Sequence, residues 1–198
     1  GIFASLNVGL GSGDDRAALA ENRRRAVAAV APGATLVTLH QVHSAIAVPV
    51  TAAFAHDARP HADALVTATP GLALGILTAD CVPILFADTN AGVIGAAHSG
   101  WKGTLTGVAA ATVAAMEALG ADRANIAAAV GPCIAQRSYE VDSGFRDRFL
   151  ADDPEHDRFF IPGKPGHFQF DIEAMVASRL AAEGLRHIEL LGQDTYAQ

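Results

Sequence analysis

Hydrophobic residues along the chain fall into short runs separated by turn-forming residues. Several of these runs do not alternate polar with apolar positions, which is typical of strands covered on both faces. Each is bounded by Gly, Pro, Asp or Asn. The pattern predicts strands over residues 35–39, 45–50, 64–67, 72–77, 82–86, 93–97, 126–130 and 188–191.

Helical periodicity and capping residues predict helices between these strands. Asp14 and Asp15 supply an N-cap and an acidic first turn for a helix that runs to about Val30. Apolar residues at helical spacing predict a second helix over 103–119, with Gly120 at its C-terminal cap. Further helices are predicted over 142–151 and 171–183.

These elements predict an α+β protein in which mixed β-sheets are flanked by helices. The chain has 198 residues, and it shows no internal repeat, low-complexity linker or clear boundary. We therefore expect a single domain over residues 1–198.

Composition narrows the class of protein. Half of the residues are hydrophobic (51%) and 18% are charged, which favours a packed core over disorder. The net charge of -7 argues against nucleic acid as a partner. Neither an apolar run of membrane-spanning length nor a secretory leader is visible, and the chain has only 2 cysteines. We expect a soluble protein of the reducing cytoplasm without a membrane partner.

Reactive side chains follow three of the predicted strands. They are His43, Cys81 and His98. Two imidazoles and one thiolate suit Zn²⁺, and three protein ligands leave a fourth position open for water, as in catalytic zinc sites. His40 and His43 lie three apart in an extended segment, so only one should face the site. The alternative is that Cys81 fills a core position and His98 is merely hydrogen-bonded.

Cationic residues offer candidate contacts for a phosphate. The segment over residues 100–104 is a glycine-flanked turn that enters a helix, where backbone N–H groups and Lys102 could hold an anion. Lys102 could equally be a solvated first-turn residue. Arg23 belongs to a run of three arginines that reads as a solvated helix face, although one of them could turn inward. The glycine-rich loop over 9–13 is followed by two aspartates, which disfavours a nucleotide there.

Together, these motifs resemble the laccase-domain (YfiH-like) family, also called polyphenol oxidase or peptidoglycan-editing-factor proteins. The matching motifs are Ser5-Leu6-Asn7, Asn22-Arg23, His40-Gln41-Val42-His43, Ala62-Asp63-Ala64-Leu65-Val66-Thr67, Thr78-Ala79-Asp80-Cys81-Val82-Pro83, His98-Ser99-Gly100-Trp101-Lys102-Gly103, Gly131-Pro132-Cys133-Ile134 and Tyr139-Glu140-Val141. They cover nearly the whole chain, and the motifs over residues 78–83 and 98–103 are specific in combination.

The resemblance implies an α/β/β/α sandwich of two mixed sheets covered by helices. It also implies a zinc-dependent purine nucleoside phosphorylase that acts on adenosine, inosine, guanosine and methylthioadenosine, with adenosine deaminase activity. The metal ligands carried over are His43, Cys81 and His98. Catalytic roles fall on Cys81, Asp80 and His98, with Asp80 as a proton shuttle. Contacts with nucleoside or phosphate are assigned to Lys102, Arg23 and Gln41.

Two departures from the family pattern concern cysteine positions. Family members usually carry a Cys-Thr pair near the C-terminus, followed by an Arg-rich motif. The corresponding stretch here reads Gln193-Asp194-Thr195-Tyr196, so no contact of the basic motif is assigned. Cys133 stands where a Ser is common, and we expect it to be structural.

Three other functions compete with this interpretation. A His₂Cys set can bind copper, which would support polyphenol oxidation, but the remaining histidines are too scattered for a multicopper centre. Cys81 and His98 could instead act as nucleophile and base of a cysteine hydrolase on peptidoglycan precursors. A purely structural zinc site would need a fourth protein ligand, for which His40 is the sole candidate.

Overall fold

The computed structural model describes residues 6–197, so Ser5 of the first motif lies outside the described residues. Within this range the chain forms five α-helices and eleven strands. The helices are α1 (Arg16–Val30), α2 (Trp101–Thr106), α3 (Val108–Ala118), α4 (Ser143–Asp152) and α5 (Ile172–Ala182). The strands are β1 (Thr35–Thr38), β2 (Ala47–Pro49), β3 (Ala64–Thr67), β4 (Leu72–Gly75), β5 (Val82–Asp88), β6 (Val93–Ser99), β7 (Ala127–Val130), β8 (Glu140–Asp142), β9 (Phe160–Pro162), β10 (His167–Phe170) and β11 (His187–Leu190).

The largest sheet has six strands in the order β11-β7-β5-β6-β3-β2. Its outer pairs, β11 with β7 and β2 with β3, are parallel, whereas β5 and β6 pair antiparallel with their neighbours. This sheet is therefore mixed, as predicted. A separate parallel pair is formed by β1 and β4.

The layers of the fold follow from which faces are apolar. Helices α3 and α5 pack on one face of the six-stranded sheet and enclose the larger core. The β1–β4 pair lies over the other face, where Val37 and Leu39 share a smaller core with Leu65. Helix α1 lines a cavity with residues of β1 and β4 on the outer side of that pair. The order helix, sheet, sheet, helix confirms the predicted α/β/β/α sandwich.

The predicted helix over 103–119 is wrong in its bounds and continuity. It begins at Trp101, because Gly100 has extended backbone angles and forms the N-cap. It is broken into α2 and α3 at Gly107, whose φ of 94° is left-handed and interrupts the helical path. Helices α1, α4 and α5 match their predicted ranges, and Asp15 and Asp171 accept capping hydrogen bonds. The predicted acidic first turn of α1 is wrong, because Asp15 is itself the N-cap and no acidic residue lies in that turn.

A three-stranded sheet in the order β8-β10-β9 was not predicted. These strands are short and are interrupted by polar or charged residues or by Pro, so apolar run length does not reveal them. The sheet is stabilised by an aromatic cluster in which Phe149, Phe160 and Phe170 contact one another at ring-centroid distances of 4.7–5.6 Å.

The expectation that the central strands are covered on both faces is only partly correct. Leu85 on β5 and Ile94 on β6 are 56% and 39% exposed. They point away from the helices, toward the face that the two-stranded sheet covers incompletely. Cys81 and Cys133 are both free thiols. None of the helices within residues 6–197 is long and apolar enough to cross a membrane.

Asp88 ends β5 with a buried carboxylate that satisfies three backbone N–H groups. Its oxygens accept hydrogen bonds from Asn90 (2.9 Å), Ala91 (3.1 Å) and Asp122 (2.8 Å). These bonds, first that of Asp122, hold the pKa of Asp88 below its ordinary value. The stability that they contribute is therefore present above the pKa of an unfolded Asp, about 3.9, and is lost as the pH falls through the lower folded value.

We expect Asp88→Asn to lower the melting temperature by several degrees at neutral pH. Backbone N–H groups donate to both carboxylate oxygens of Asp88. An asparagine amide has only one acceptor oxygen, so its NH₂ group must face at least one of these N–H groups. Below about pH 4 the native protein loses the same contribution, so the difference in melting temperature should shrink. Calorimetry of both proteins across the acidic range measures this, and a constant difference would contradict the role of Asp88.

Candidate metal centre

Three segments bring His43, Cys81 and His98 to one point. His43 follows β1, Cys81 follows β4 and His98 lies near the end of β6. Each residue offers one candidate ligand atom, and these three atoms all lie within 4.8 Å of one another. Among residues 6–197 this is the only group of three or more His, Cys, Asp or Glu placed to hold a metal ion. The convergence of the three residues matches the sequence prediction.

His43 is held in its position by its backbone rather than by its side chain. It adopts a left-handed conformation with φ of 60°, which is uncommon for a residue with a Cβ. The Asp63 carboxylate accepts hydrogen bonds from the backbone N–H groups of Val42 (3.2 Å), His43 (3.0 Å) and Ser44 (2.6 Å). It also accepts one from the Ser44 hydroxyl (2.8 Å). The hydrogen bonds to this one buried carboxylate therefore offset the conformational free energy that the left-handed backbone of His43 costs.

Asp63 also orients His98. Its Oδ1 lies 2.8 Å from Nδ1 of His98, and both side chains are buried. Because Oδ1 is an acceptor, Nδ1 carries the proton and Nε2 is left as the lone-pair atom. Metal-binding histidines are commonly held in this way by a carboxylate behind them. Asp63 thus connects the His43 turn to the second imidazole.

Burial and neighbouring carboxylates set the ionisation of the cluster. Burial raises the pKa of the Cys81 thiol, and the charges of Asp80 and Asp63 raise it further. Burial lowers the pKa of His98 below its ordinary value, although the hydrogen bond that His98 donates to Asp63 opposes this shift. His98 is therefore a neutral ligand at pH 7, whereas Cys81 becomes a thiolate most readily when a cation binds beside it.

Gly100 leaves room for the cluster. A Cβ at this position would lie 3.1 Å from Sγ of Cys81 and 2.8 Å from Cδ2 of His43. Any larger residue would push into the space between these two side chains. This close approach gives a physical reason for the glycine between His98 and Trp101.

The donor set fits zinc. Tetrahedral zinc bonds of about 2.0–2.3 Å place ligand atoms roughly 3.5 Å apart, so small side-chain rotations would close this set around an ion. His40, the other member of the His-x-x-His pair, instead stacks on His61 at 4.4 Å between ring centroids. Of that pair, His43 alone belongs to the cluster, and a metal ion held by these three residues would keep a fourth position open.

The open side of the cluster faces a cavity of about 560 Å³. This volume is in the range of sites that hold small organic molecules. The cavity is lined by Leu6, Asn7, Val8, Gly9, Gln41, His43, Leu77, Thr78, Ala79, Cys81 and His98. The cluster can therefore be reached by a small-molecule substrate.

The Asn22-Arg23 motif supports one wall of this cavity. Asn22 donates to the carbonyl of Asn7 (2.9 Å), and Arg23 donates to that of Val8 (3.1 Å). Arg23 also donates to the hydroxyl of Thr38 (3.1 Å). Arg23 thus does turn inward, and it lies behind the cavity wall rather than among the lining residues.

Of the three remaining predicted site residues, Gln41 lines the cavity, whereas Asp80 and Lys102 do not. Gln41 lines the cavity, and its amide contacts Leu77. Asp80 has a left-handed φ of 70°, and its Oδ1 accepts from the hydroxyl of Thr195 (2.7 Å). Lys102 is exposed on α2, with its ammonium 5.5 Å from the centre of the Trp101 ring. Neither Asp80 nor Lys102 lines the cavity.

Asp63 was assigned no role from the sequence, although its carboxylate accepts five hydrogen bonds in the site. A signal was present, because Asp63 is the one charged residue in an otherwise apolar strand segment over 62–66. A carboxylate in such a setting must be paired or hydrogen-bonded. Thr195, which reaches Asp80 from the far end of the chain, left no comparable local signal.

We expect Asp63→Asn to weaken zinc binding by about 10- to 100-fold, the usual effect of removing such a supporting partner. Donors face both carboxylate oxygens, so the amide must turn its NH₂ toward a backbone N–H. Competition with a chromophoric chelator measures the change. Asp88→Asn is the matched control, because it also alters a buried carboxylate but lies away from the cluster. Equal zinc affinity of native and Asp63→Asn proteins would contradict this role.

The chain is similar to known proteins over nearly its whole length. The sequence profile described as multi-copper polyphenol oxidoreductase laccase matches residues 1–198. A purine nucleoside phosphorylase of Mycobacterium tuberculosis is 39% identical over 189 residues, which is 95% of this chain and 74% of that protein. A purine nucleoside phosphorylase of Pseudomonas aeruginosa is 38% identical over 197 residues, covering 98% of this chain and 77% of that protein.

Solved structures show the same fold. YlmD from Geobacillus stearothermophilus superposes with a TM-score of 0.90 at 34% identity, over 100% of this chain and 78% of that chain. Neisseria meningitidis protein NMB0706 gives 0.87 at 34% identity, over 98% and 78% of the two chains. The chain therefore belongs to the multi-copper polyphenol oxidoreductase laccase family, the YfiH-like family that its motifs resemble.

Proposed function

We propose that this protein is a zinc-dependent purine nucleoside phosphorylase. The observation that carries the proposal is the His43–Cys81–His98 cluster, whose open side faces a cavity of about 560 Å³. Relatives at 38–39% identity are named for this activity. The proposed substrates are phosphate and adenosine, inosine, guanosine or methylthioadenosine.

In phosphorolysis an oxygen of inorganic phosphate forms a bond to C1′ of the ribose, and the bond from C1′ to the purine nitrogen breaks. The bonding electron pair leaves with the purine, which takes up a proton. When bound, zinc would supply positive charge where negative charge is held or develops. The products are the free base and ribose 1-phosphate, or 5-methylthioribose 1-phosphate where methylthioadenosine is the substrate.

The residues of this chain would bind and orient the reactants. Asp63 fixes the orientation of His98 and the turn that carries His43, so the ligands need little rearrangement. Apolar lining residues such as Val8 and Leu77 would exclude water, which competes with phosphate for C1′. Lys102 is proposed as a phosphate contact that would reach the reactants from outside the cavity lining. Arg23 is proposed to support the cavity wall through the carbonyl of Val8.

Adenosine deamination is a second reaction proposed for the same site. Zinc deaminases also use histidine and cysteine ligands, with an acidic residue that carries the proton. Asp80, next to Cys81, is the proposed carrier. Its left-handed backbone and its hydrogen bond from Thr195 hold the carboxylate in one place.

Two of the three competing functions, copper oxidation and cysteine hydrolysis, have less support. Copper oxidation of phenols by a multicopper centre needs a larger set of ligands than the single cluster found within residues 6–197. A cysteine hydrolase needs a reactive thiolate, whereas burial and the neighbouring Asp80 and Asp63 raise the pKa of Cys81. Its thiol is therefore a weak nucleophile in the absence of a cation.

We expect Cys81→Ala to lose bound zinc and phosphorolysis together. Chromatography of products from zinc-loaded protein and adenosine tests this. The native protein should release adenine only when phosphate is present, and inosine would reveal deamination. Cys133→Ala is the control, because Cys133 is the other thiol and is buried away from the cavity. Full activity in metal-free Cys81→Ala protein would refute the proposal.

Lys102→Met should raise the KM for phosphate by about 10-fold and leave the KM for the nucleoside unchanged. The loss of one charged hydrogen bond to an anion corresponds to about 1.5–3 kcal/mol. Initial rates over a range of phosphate concentrations measure both constants. Lys164→Met, at an exposed lysine paired with Glu140, should change neither. An unaltered KM for phosphate would assign Lys102 to the solvated surface.

A further inference from the structure

Two of the three metal ligands belong to loops that leave the same small sheet. β1 and β4 pair in parallel, and their ladder ends where Thr38 pairs with Gly75. Beyond that point the two strands continue as the loops that carry His43 and Cys81. Parallel pairing no longer fixes the spacing of these loops, so another contact must do so if the ligands are to stay together.

The side chain of Gln41 supplies this contact. Its Nε2 donates to the carbonyl of Leu77 at 2.7 Å, and its Oε1 accepts from the N–H of Leu77 at 2.8 Å. These are the two hydrogen bonds that a neighbouring strand would make with Leu77. A flipped amide would lose both, so the orientation of the side chain is fixed by the pair. Gln41 therefore extends the pairing of β1 with β4 past the end of the ladder.

The ligand set is thereby joined on two sides. Asp63 links the His43 turn to His98, with hydrogen bonds of 3.0 and 2.8 Å. Gln41 links the same turn to the segment that leads into Cys81. We propose that Gln41 is a positioning residue, which holds the His43 and Cys81 loops at the separation that a metal ion requires. This role rests on the metal site of the proposed function.

A substrate contact is the competing role for Gln41, because its side chain lines the cavity. The two roles predict different results. A substrate contact would affect the KM and leave metal binding unchanged. A positioning residue would affect metal binding in the absence of any substrate, and it would protect the Leu77 amide from hydrogen exchange even in the metal-free protein.

The test uses Gln41→Met, which keeps the length of the side chain and removes both hydrogen bonds. Zinc dissociation constants are measured by chelator competition, and exchange at the Leu77 amide is measured by NMR without metal. Gln136→Met is the matched control. The Gln136 amide also donates to backbone carbonyls, those of Phe159 and Gln169, but it does not line the cavity.

We expect Gln41→Met to weaken zinc binding by about 10-fold or more and to accelerate exchange at Leu77. Gln136→Met should stay within about twofold of the native protein by both measures. Unchanged zinc affinity in Gln41→Met would overturn the positioning role. If that variant does not fold, Gln41→Glu replaces it, since a carboxylate keeps the bond from the Leu77 N–H and repels its carbonyl.

The outcomes separate this inference from the proposed function. If the native protein binds no zinc, the proposed function fails, and Leu77 exchange alone decides whether Gln41 joins the loops. If the native protein binds zinc with the same affinity as Gln41→Met, or as Gln41→Glu where that variant replaces it, the proposed function survives and the role of Gln41 is refuted.

Discussion

The arrangement of the site depends on one buried carboxylate, that of Asp63. Its oxygens accept five hydrogen bonds, from three consecutive backbone N–H groups, one hydroxyl and one imidazole. Burial alone would raise the pKa of Asp63, but these bonds, first that of His98, hold it below its ordinary value. The anion therefore persists in the interior. It compensates the left-handed turn at His43, and it leaves Nε2 of His98 free to bind a cation.

The same arrangement explains why the site lies where two sheets meet. Asp63 precedes β3 of the six-stranded sheet, whereas Gln41 and Leu77 extend the two-stranded sheet. The hydrogen bonds that Asp63 accepts from residues 42–44 cross between the layers, whereas those between Gln41 and Leu77 join the two loops of the small sheet. The cavity lies on the outer side of this junction, and Arg23 supports its wall from behind. The strands of the sandwich thus form the frame, and the loops at the junction of its sheets carry His43 and Cys81.

Much of this could be predicted from the sequence, for identifiable reasons. Apolar runs ending in a reactive residue indicated His43, Cys81 and His98, because strand ends bring functional groups to a cleft. Capping residues located α1 and α5. The break at Gly107 was missed because the apolar periodicity continues through it. Strands β8, β9 and β10 were missed because their stability comes from aromatic contacts between distant segments, such as Phe149 with Phe170.

We propose that His43, Cys81 and His98 bind one zinc ion and leave a position open to the cavity. X-ray absorption spectroscopy of the zinc-loaded protein identifies these ligands. We expect one sulfur ligand at about 2.3 Å, two imidazole nitrogens at about 2.0–2.1 Å and one further light atom from solvent or phosphate. A zinc ion without a sulfur ligand, or one bound by four protein side chains, would contradict this arrangement.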